Sequence, residues 1–263
     1  MSLFTLECGD APLIFSMPHG GLDLPDECHA GLIDPATAIN DADFWIDQVY
    51  GFAAGMDITR LTAHVSRIAI DLNRDPSGQS LYPGQATTGL VPTTDFDGNP
   101  LYHAHAEPDA AEVARRIAAY HAPYHAALAG EIARLRALHS HIVVYDCHSI
   151  RSHVPWLFNG ELPVLNLGTH DGTTCAPELQ TRLAAVCDAA PLSHVVNGRF
   201  KGGWITRHYA NPAGGVHCVQ MELAQRAYMV EPLGAYDAIH AAPLTATLQS
   251  LLTTILDWLG DQP

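Results

Sequence analysis

The sequence of 263 residues has few cations and no long apolar run. It contains 13 Lys and Arg against 28 Asp and Glu, a formal net charge of −15, and Lys201 is its only lysine. Nucleic acids and anionic membranes bind to clustered cations, so the composition excludes both as partners. No apolar stretch approaches the roughly 20 residues of a membrane span. Glu7 and Asp10 interrupt the N-terminal segment where a secretion signal would lie, and we therefore expect a cytoplasmic protein.

Several common motifs are also absent. None of the six cysteines belongs to a Cys-x-x-Cys pair, which disfavours a zinc knuckle and a disulfide scaffold. The chain has no Gly-x-Ser-x-Gly elbow, Walker loop or Gly-x-Gly-x-x-Gly fingerprint, which disfavours serine hydrolases, NTPases and dinucleotide-binding proteins. By contrast, its 16 histidines outnumber Lys and Arg together, which favours a metal or acid/base site.

Apolar segments rich in β-branched residues alternate with helical patterns over the whole chain. This alternation predicts an α/β fold, with a central mixed sheet flanked by helices in a single domain spanning residues 1–263. The predicted strands are Leu13–Met17, Ile58–Val65, Ile68–Leu72, His141–Asp146, Val164–Leu167, His194–Val196 and Val216–Leu223. The predicted helices are Pro35–Ala54, Asp109–Leu138, Ala176–Ala189 and Tyr236–Leu259, with an interruption near Tyr120 caused by Pro123. Nothing in the sequence indicates an oligomer.

Polar side chains follow several of the predicted strands. His19 comes after the first strand, Asn73 and Arg74 after the third, and His148 after the fourth, while Glu222 lies near the end of the last. Ligands of open α/β sheets bind outside the carboxyl ends of the strands. We therefore expect these side chains to meet at one place.

His19 and His148 are candidate metal ligands, because neutral imidazole is a common zinc ligand. A catalytic zinc needs a third protein ligand, and Asp43 is the first choice, with Asp47 in reserve one helical turn later. Acidic residues in the first turn of a helix would be the structural alternative for both. His121 and His125 lack the glutamate of the His-Glu-x-x-His motif and are not predicted as ligands.

Glu222 lies in an apolar strand, where a carboxylate is costly to bury unless it is paired or functional. It is a candidate general base, and a structural ion pair with an arginine is the alternative. Arg199, Lys201 and Arg207 stand within nine residues in a strongly acidic chain. With Arg74 they form a candidate binding set for substrate carboxylates, since the guanidinium fork matches a carboxylate.

Together these motifs resemble the N-formylglutamate amidohydrolases, also called N-formylglutamate deformylases. The resemblance covers roughly residues 10–230 and lies in five motifs that occur in the order of the family: Pro-His-Gly-Gly (18–21), Asp-Leu-Asn-Arg-Asp-Pro (71–76), Asp-Cys-His-Ser (146–149), Lys-Gly-Gly-Trp-Ile-Thr-Arg (201–207) and Gln-Met-Glu-Leu (220–223).

The resemblance implies a zinc-carboxypeptidase-like fold and hydrolysis of N-formyl-L-glutamate to L-glutamate and formate in histidine degradation. It also implies that His19 and His148 hold one Zn²⁺, that Glu222 is the catalytic glutamate, and that Asn73 with Arg74 binds a substrate carboxylate. Carboxypeptidases carry His-x-x-Glu, whereas Leu22 stands three residues after His19, so the acidic ligand must come from elsewhere. Arg207 is our candidate for the developing oxyanion, and Arg199 and Lys201 are candidates for the second carboxylate.

Three other interpretations remain open at this point. A related zinc amidase would act on another N-acyl amino acid, and a metal-free binding protein would use the same scaffold. A cysteine hydrolase built on Cys147 and His148 is weaker, because adjacent residues of a strand point to opposite faces.

Overall fold

The structure, a computed structural model, describes residues 2–80, 84 and 86–262. Seven strands form one mixed sheet in the order β1-β3-β2-β4-β7-β5-β6. Strands β3, β2, β4 and β7 are parallel neighbours, whereas β1 and β5 pair antiparallel with β3 and β7. The strands are β1 (Phe4–Glu7), β2 (Leu13–Met17), β3 (Thr59–Ala63), β4 (Ile142–Ile150), β5 (Leu165–Gly168), β6 (His194–Val196) and β7 (Val216–Ala224).

Six α-helices accompany the sheet in the described part of the chain. They are α1 (Ile46–Val49), α2 (Ala110–Arg116), α3 (Ala122–Leu138), α4 (Pro177–Ala189), α5 (Trp204–Tyr209) and α6 (Ala242–Gly260). A π-helical turn, Ile117–His121, joins α2 to α3, and 3₁₀ turns occur at Asp26–Cys28, Gly51–Ala53, Pro212–Gly214 and Gln225–Ala227. Within the described ranges, no helix is both long enough and apolar enough to cross a membrane.

Alternate residues of the central strands fill two cores on opposite faces of the sheet. Val143, Tyr145 and Cys147 of β4 belong to the core that contains residues of α4 and α6. Ile142 and Val144 belong to the core covered by α3 and α5. The fold is therefore an α/β sheet flanked by helices on both faces, as the sequence predicts.

Two predicted elements are wrong. Residues 68–72 are turns and irregular backbone, because the Ala69 and Ile70 N–H groups donate to the Ser66 carbonyl and not to a neighbouring strand. Residues 35–54 are mostly turns, and α1 is only four residues long because Trp45 takes a left-handed φ of 62° directly before it. Strand β1 and helix α5 are additional elements.

The interruption expected near Tyr120 is present as the π-helical turn. Pro123 has no backbone N–H, and in a regular helix its ring would clash with the Ala119 carbonyl. The wider turn immediately before Pro123 accommodates both effects.

Candidate active site

The carboxyl ends of β2, β4 and β7 meet at the middle of the sheet and carry the predicted polar side chains. His19 follows β2, and His148 and Glu222 are paired positions near the ends of β4 and β7. The even-numbered residues of β4 point to the face of α3 and α5. Asp146 and His148 are also even-numbered, so their side chains lie on the same face as those of Ile142 and Val144, further along β4.

His19, Asp43 and His148 form a buried cluster, with one potential ligand atom from each lying within 4.8 Å of the others. Asp43 Oδ2 is 3.9 Å from His19 Nδ1 and 3.2 Å from His148 Nδ1. Backbone hydrogen bonds fix Asp43 in place: its N–H donates to the His19 carbonyl, and the Ser149 N–H donates to its Oδ2. Asp47 is exposed and does not belong to the cluster.

The outer nitrogens of both histidines face a second pair of buried carboxylates. His19 Nε2 lies 2.7 Å from Asp71 Oδ1, and His148 Nε2 lies 3.1 Å from Asp146 Oδ2. Carboxylate acceptors favour a proton on Nε2, and each Nδ1 would then be the ligand atom when a metal ion binds. Asn73 also donates to Asp146, at 3.2 Å.

The donor set fits a divalent metal ion. Two imidazoles and one carboxylate are typical ligands of a catalytic zinc. Among the described residues, Asp43 Oδ1 is a buried oxygen with no hydrogen-bond donor. Burial acts to lower the pKa of His148, but the Asp146 and Asp43 carboxylates outweigh it and raise that pKa well above its ordinary value. The carboxylates around His148 therefore stabilise positive charge at this position.

A cleft opens beside this cluster. His19, His148 and Glu222 line it together with three arginines, Arg67, Arg74 and Arg199. The other lining residues are Asn73, Thr87, Thr88, Phe96, Ile150, Leu157, Phe200, Gly203 and Gln220. The cleft thus combines a metal-type cluster, a carboxylate and a strongly cationic wall.

Glu222 is 7% exposed and accepts a hydrogen bond of 3.3 Å from Gln220 Nε2. Burial raises its pKa to about 7, although His148 acts in the opposite direction. A carboxyl group with a pKa near neutrality can both accept and return a proton at physiological pH.

The structure separates the predicted cations into two groups. Arg74 and Arg199 line the cleft, where they donate to the Thr88 and Ala86 carbonyls respectively. Among the described residues, those lining the cleft do not include Lys201 and Arg207. Lys201 Nζ instead contacts both carboxylate oxygens of Asp171 at 3.0 Å, and Arg207 Nε donates to the Gly202 carbonyl. A role for Lys201 and Arg207 in substrate binding therefore stays a prediction, since neither lines the cleft in the described part of the chain.

Arg67 is the cleft residue that the sequence analysis missed. Its guanidinium contacts Asp71 Oδ2 at 2.8 Å and lies 4.8 Å from the centre of the Phe96 ring. Burial acts to lower the pKa of Arg67, but the Asp71, Asp43 and Asp41 carboxylates outweigh it. The available signal was an arginine four residues before Asp71, in the short gap between two predicted strands, Ile58–Val65 and Ile68–Leu72.

Cys147 belongs to the apolar core on the opposite face of the sheet. Burial raises the pKa of its thiol well above the ordinary value. This position favours a structural role over the cysteine-hydrolase interpretation.

The fold and the site together define an α/β protein with a candidate metal centre at the carboxyl ends of the central strands of a mixed sheet. The N-formylglutamate amidohydrolase family model matches residues 11–229. The chain is 49% identical over 252 residues to a Pseudomonas aeruginosa protein named N-formylglutamate deformylase, with 95% of this chain and 94% of that protein covered. A Pseudomonas putida protein of the same name is 46% identical over 253 residues, with the same coverage. The chain therefore belongs to the N-formylglutamate amidohydrolase family.

Solved structures agree with this fold. The crystal structure of N-formylglutamate amidohydrolase from Ralstonia eutropha matches with a TM-score of 0.81 and 26% identity, covering 98% of both chains. A gene product of Agrobacterium tumefaciens has a TM-score of 0.72 at 19% identity, over 99% of this chain and 97% of that one, which shows the fold alone. The resemblance stated from the five motifs is confirmed.

Proposed function

We propose that this protein hydrolyses N-formyl-L-glutamate to L-glutamate and formate, as a step in histidine degradation. One observation carries the proposal: three arginines face a buried His-Asp-His cluster and a carboxylate of raised pKa in one cleft. A substrate with two carboxylates beside a formamide matches these features. The names of the Pseudomonas relatives support the same reaction.

His19, Asp43 and His148 would hold one divalent ion, and the donor set favours zinc. Such an ion, when bound, lowers the pKa of a neighbouring water and polarises the substrate carbonyl. His19 is suited to this role because burial, followed by the charge of Arg67, lowers its pKa and favours neutral imidazole.

Glu222 would take a proton from the attacking water and deliver it to the leaving amine nitrogen. The water oxygen first adds to the formyl carbon, the C–N bond then breaks once the amine nitrogen has been protonated, and formate and glutamate are released. Arg67 replaces Arg207 as our candidate for the developing oxyanion, because it lines the cleft beside His19 and Glu222. Its Nε is a buried donor with no hydrogen-bond partner among the described residues.

Arg74 and Arg199 would bind the two glutamate carboxylates. Arg74 reaches the cleft next to Asn73, and its guanidinium already contacts the hydroxyls of Thr87 and Thr88. Arg199 also lines the cleft, and it donates to the carbonyls of Leu157 and Ala86. Two separate cationic positions suit a dicarboxylate better than a monocarboxylate.

The test is a hydrolysis assay with N-formyl-L-glutamate, N-formyl-L-glutamine, N-acetyl-L-glutamate and N-succinyl-L-glutamate. We expect turnover of the first substrate, loss of activity with a chelator, and recovery with zinc. The glutamine analogue should have a KM at least about tenfold higher because it lacks one carboxylate. Equal rates on the three acyl groups would refute the substrate assignment, and a zinc-loaded protein without activity would favour a binding protein.

A further inference from the structure

Two buried histidines behind the cleft have no part in the proposed chemistry. His121 ends the π-helical turn, and His125 follows one helical turn later in α3. Their rings lie 4.2 Å apart, centre to centre, and the residues are 2% and 8% exposed. Single-turn π segments inside α-helices occur frequently at functional sites.

Both histidines hold the backbone on either side of Asn73. His125 Nε2 lies 2.8 Å from the Leu72 carbonyl, and His121 Nε2 lies 3.0 Å from the Arg74 carbonyl. A carbonyl only accepts, so both imidazoles carry their proton on Nε2. Burial lowers the pKa of His121 and lowers that of His125 to about 3, so both rings stay neutral and keep this arrangement at physiological pH.

The same histidines also contact helix α5. His125 Nδ1 lies 2.9 Å from the Tyr209 hydroxyl, and the Trp204 ring packs against both imidazoles with centres 5.5 and 4.6 Å away. At the start of α5, the Ile205 N–H donates to Asn73 Oδ1 at 2.8 Å. The two histidines therefore fix the backbone around Asn73 through the Leu72 and Arg74 carbonyls, and helix α5 fixes its side chain through the Ile205 N–H.

We infer that His121 and His125 are positioning residues, which hold Asn73 and Arg74 in the orientation that binds substrate. Neither histidine is among the described residues that line the cleft, and both act through the Leu72 and Arg74 carbonyls. This inference rests on the proposed function, because it assigns Arg74 to a substrate carboxylate. Uniform binding of a carboxylate sets KM more than kcat, so loss of the support should act mainly on KM.

The experiment compares His121→Leu and His125→Leu with His121→Gln and His125→Gln, using steady-state kinetics on N-formyl-L-glutamate and zinc analysis. Leucine removes the Nε2–H donor, whereas the glutamine amide retains a donor at a similar reach. We expect each leucine variant to raise KM at least about tenfold, with kcat changed less than about threefold and full zinc content. The glutamine variants should recover KM to within about threefold of the wild type.

His217→Leu is the matched control, since His217 is also a buried histidine but lies at the opposite end of β7 from Glu222. It should lose stability and leave KM unchanged. The inference fails if the His121 and His125 leucine variants keep the wild-type KM, or if His217→Leu raises KM equally. A wild-type protein inactive on N-formyl-L-glutamate would refute the proposed function instead, which keeps the two failures distinct.

Discussion

Glu222 illustrates how one residue can be nearly buried and still reactive. Its glutamine variant keeps the shape and the Gln220 contact region but accepts no proton. We expect Glu222→Gln to lower kcat by about 10²- to 10⁴-fold, the usual range for general acid–base catalysis. Zinc content and KM should change little, as measured by metal analysis and steady-state kinetics. A variant with near-normal kcat would contradict the assignment.

Variants of Arg67 and Arg207 test which arginine stabilises the developing oxyanion. Arg67 lines the cleft, whereas Arg207 donates to the Gly202 carbonyl. We expect Arg67→Met to lower kcat by about 10²- to 10³-fold, the effect of removing one oxyanion donor. Arg207→Met should keep kcat within about threefold. The variants are compared by kcat at saturating substrate, and a larger loss in Arg207→Met would restore the sequence-based choice.

Elements with a clear apolar period could be predicted from the sequence, and irregular ones could not. Strand β2 and helix α4 have the predicted type, and their boundaries differ by at most one residue from those expected. Residues 68–72 were predicted as a strand because they are mostly apolar, but they are apolar because they are buried and not because they pair in a sheet. Helix α5 was hidden in a segment rich in glycine and aromatics, and its start depends on a tertiary contact with Asn73.

Gly203 sets how closely α5 approaches Asn73. A Cβ at this position would overlap the Asn73 side-chain amide. We expect Gly203→Ala to displace the start of α5, lower kcat/KM at least about tenfold, and reduce the free energy of unfolding by about 1–3 kcal/mol.

Gly130→Ala is the matched control for Gly203→Ala. Gly130 lies exposed in α3, and a Cβ there would have no neighbour within 4 Å. Alanine should raise the free energy of unfolding by about 0.5–1 kcal/mol and leave kcat/KM unchanged. Kinetics and urea unfolding of both variants check the pair, and normal kinetics in Gly203→Ala would show that α5 adjusts without cost to the site.

At the scale of the molecule, the parallel strands explain why part of the site was predictable. His19 follows β2, and His148 and Glu222 lie near the ends of β4 and β7, so sequence order and sheet geometry bring them together. Arg67 reaches the cleft from a turn, and Asp43 reaches the cluster from a loop that precedes Trp45. Side chains that reach a site from turns and loops leave no periodic pattern in the sequence by which they could be predicted. The count of 16 histidines was a poor guide, because several of them are structural.

His217 couples the stability of the whole fold to pH. The Ala176 N–H donates to its Nδ1 at 3.1 Å, so its proton lies on Nε2 and faces His141 Nδ1 at 3.0 Å. A second proton on the His217 ring would lie on Nδ1 and point at the Ala176 N–H, where the two hydrogens repel each other. Burial, followed by the effects of His141 and Arg136, accordingly lowers the pKa of His217 from 6.5 to about 4.

The unfolded chain therefore binds more protons than the native protein between pH 6.5 and 4, and the free energy of unfolding falls as the pH decreases through this window. The shift in the pKa of His217 corresponds to a loss on the order of 3 kcal/mol. His217→Asn does not titrate there, so its urea-unfolding free energy should fall less than that of the wild type between pH 7 and pH 4.5. If the free energy of unfolding had the same pH dependence in both proteins, His217 would be protonated as easily in the native state as in the unfolded chain.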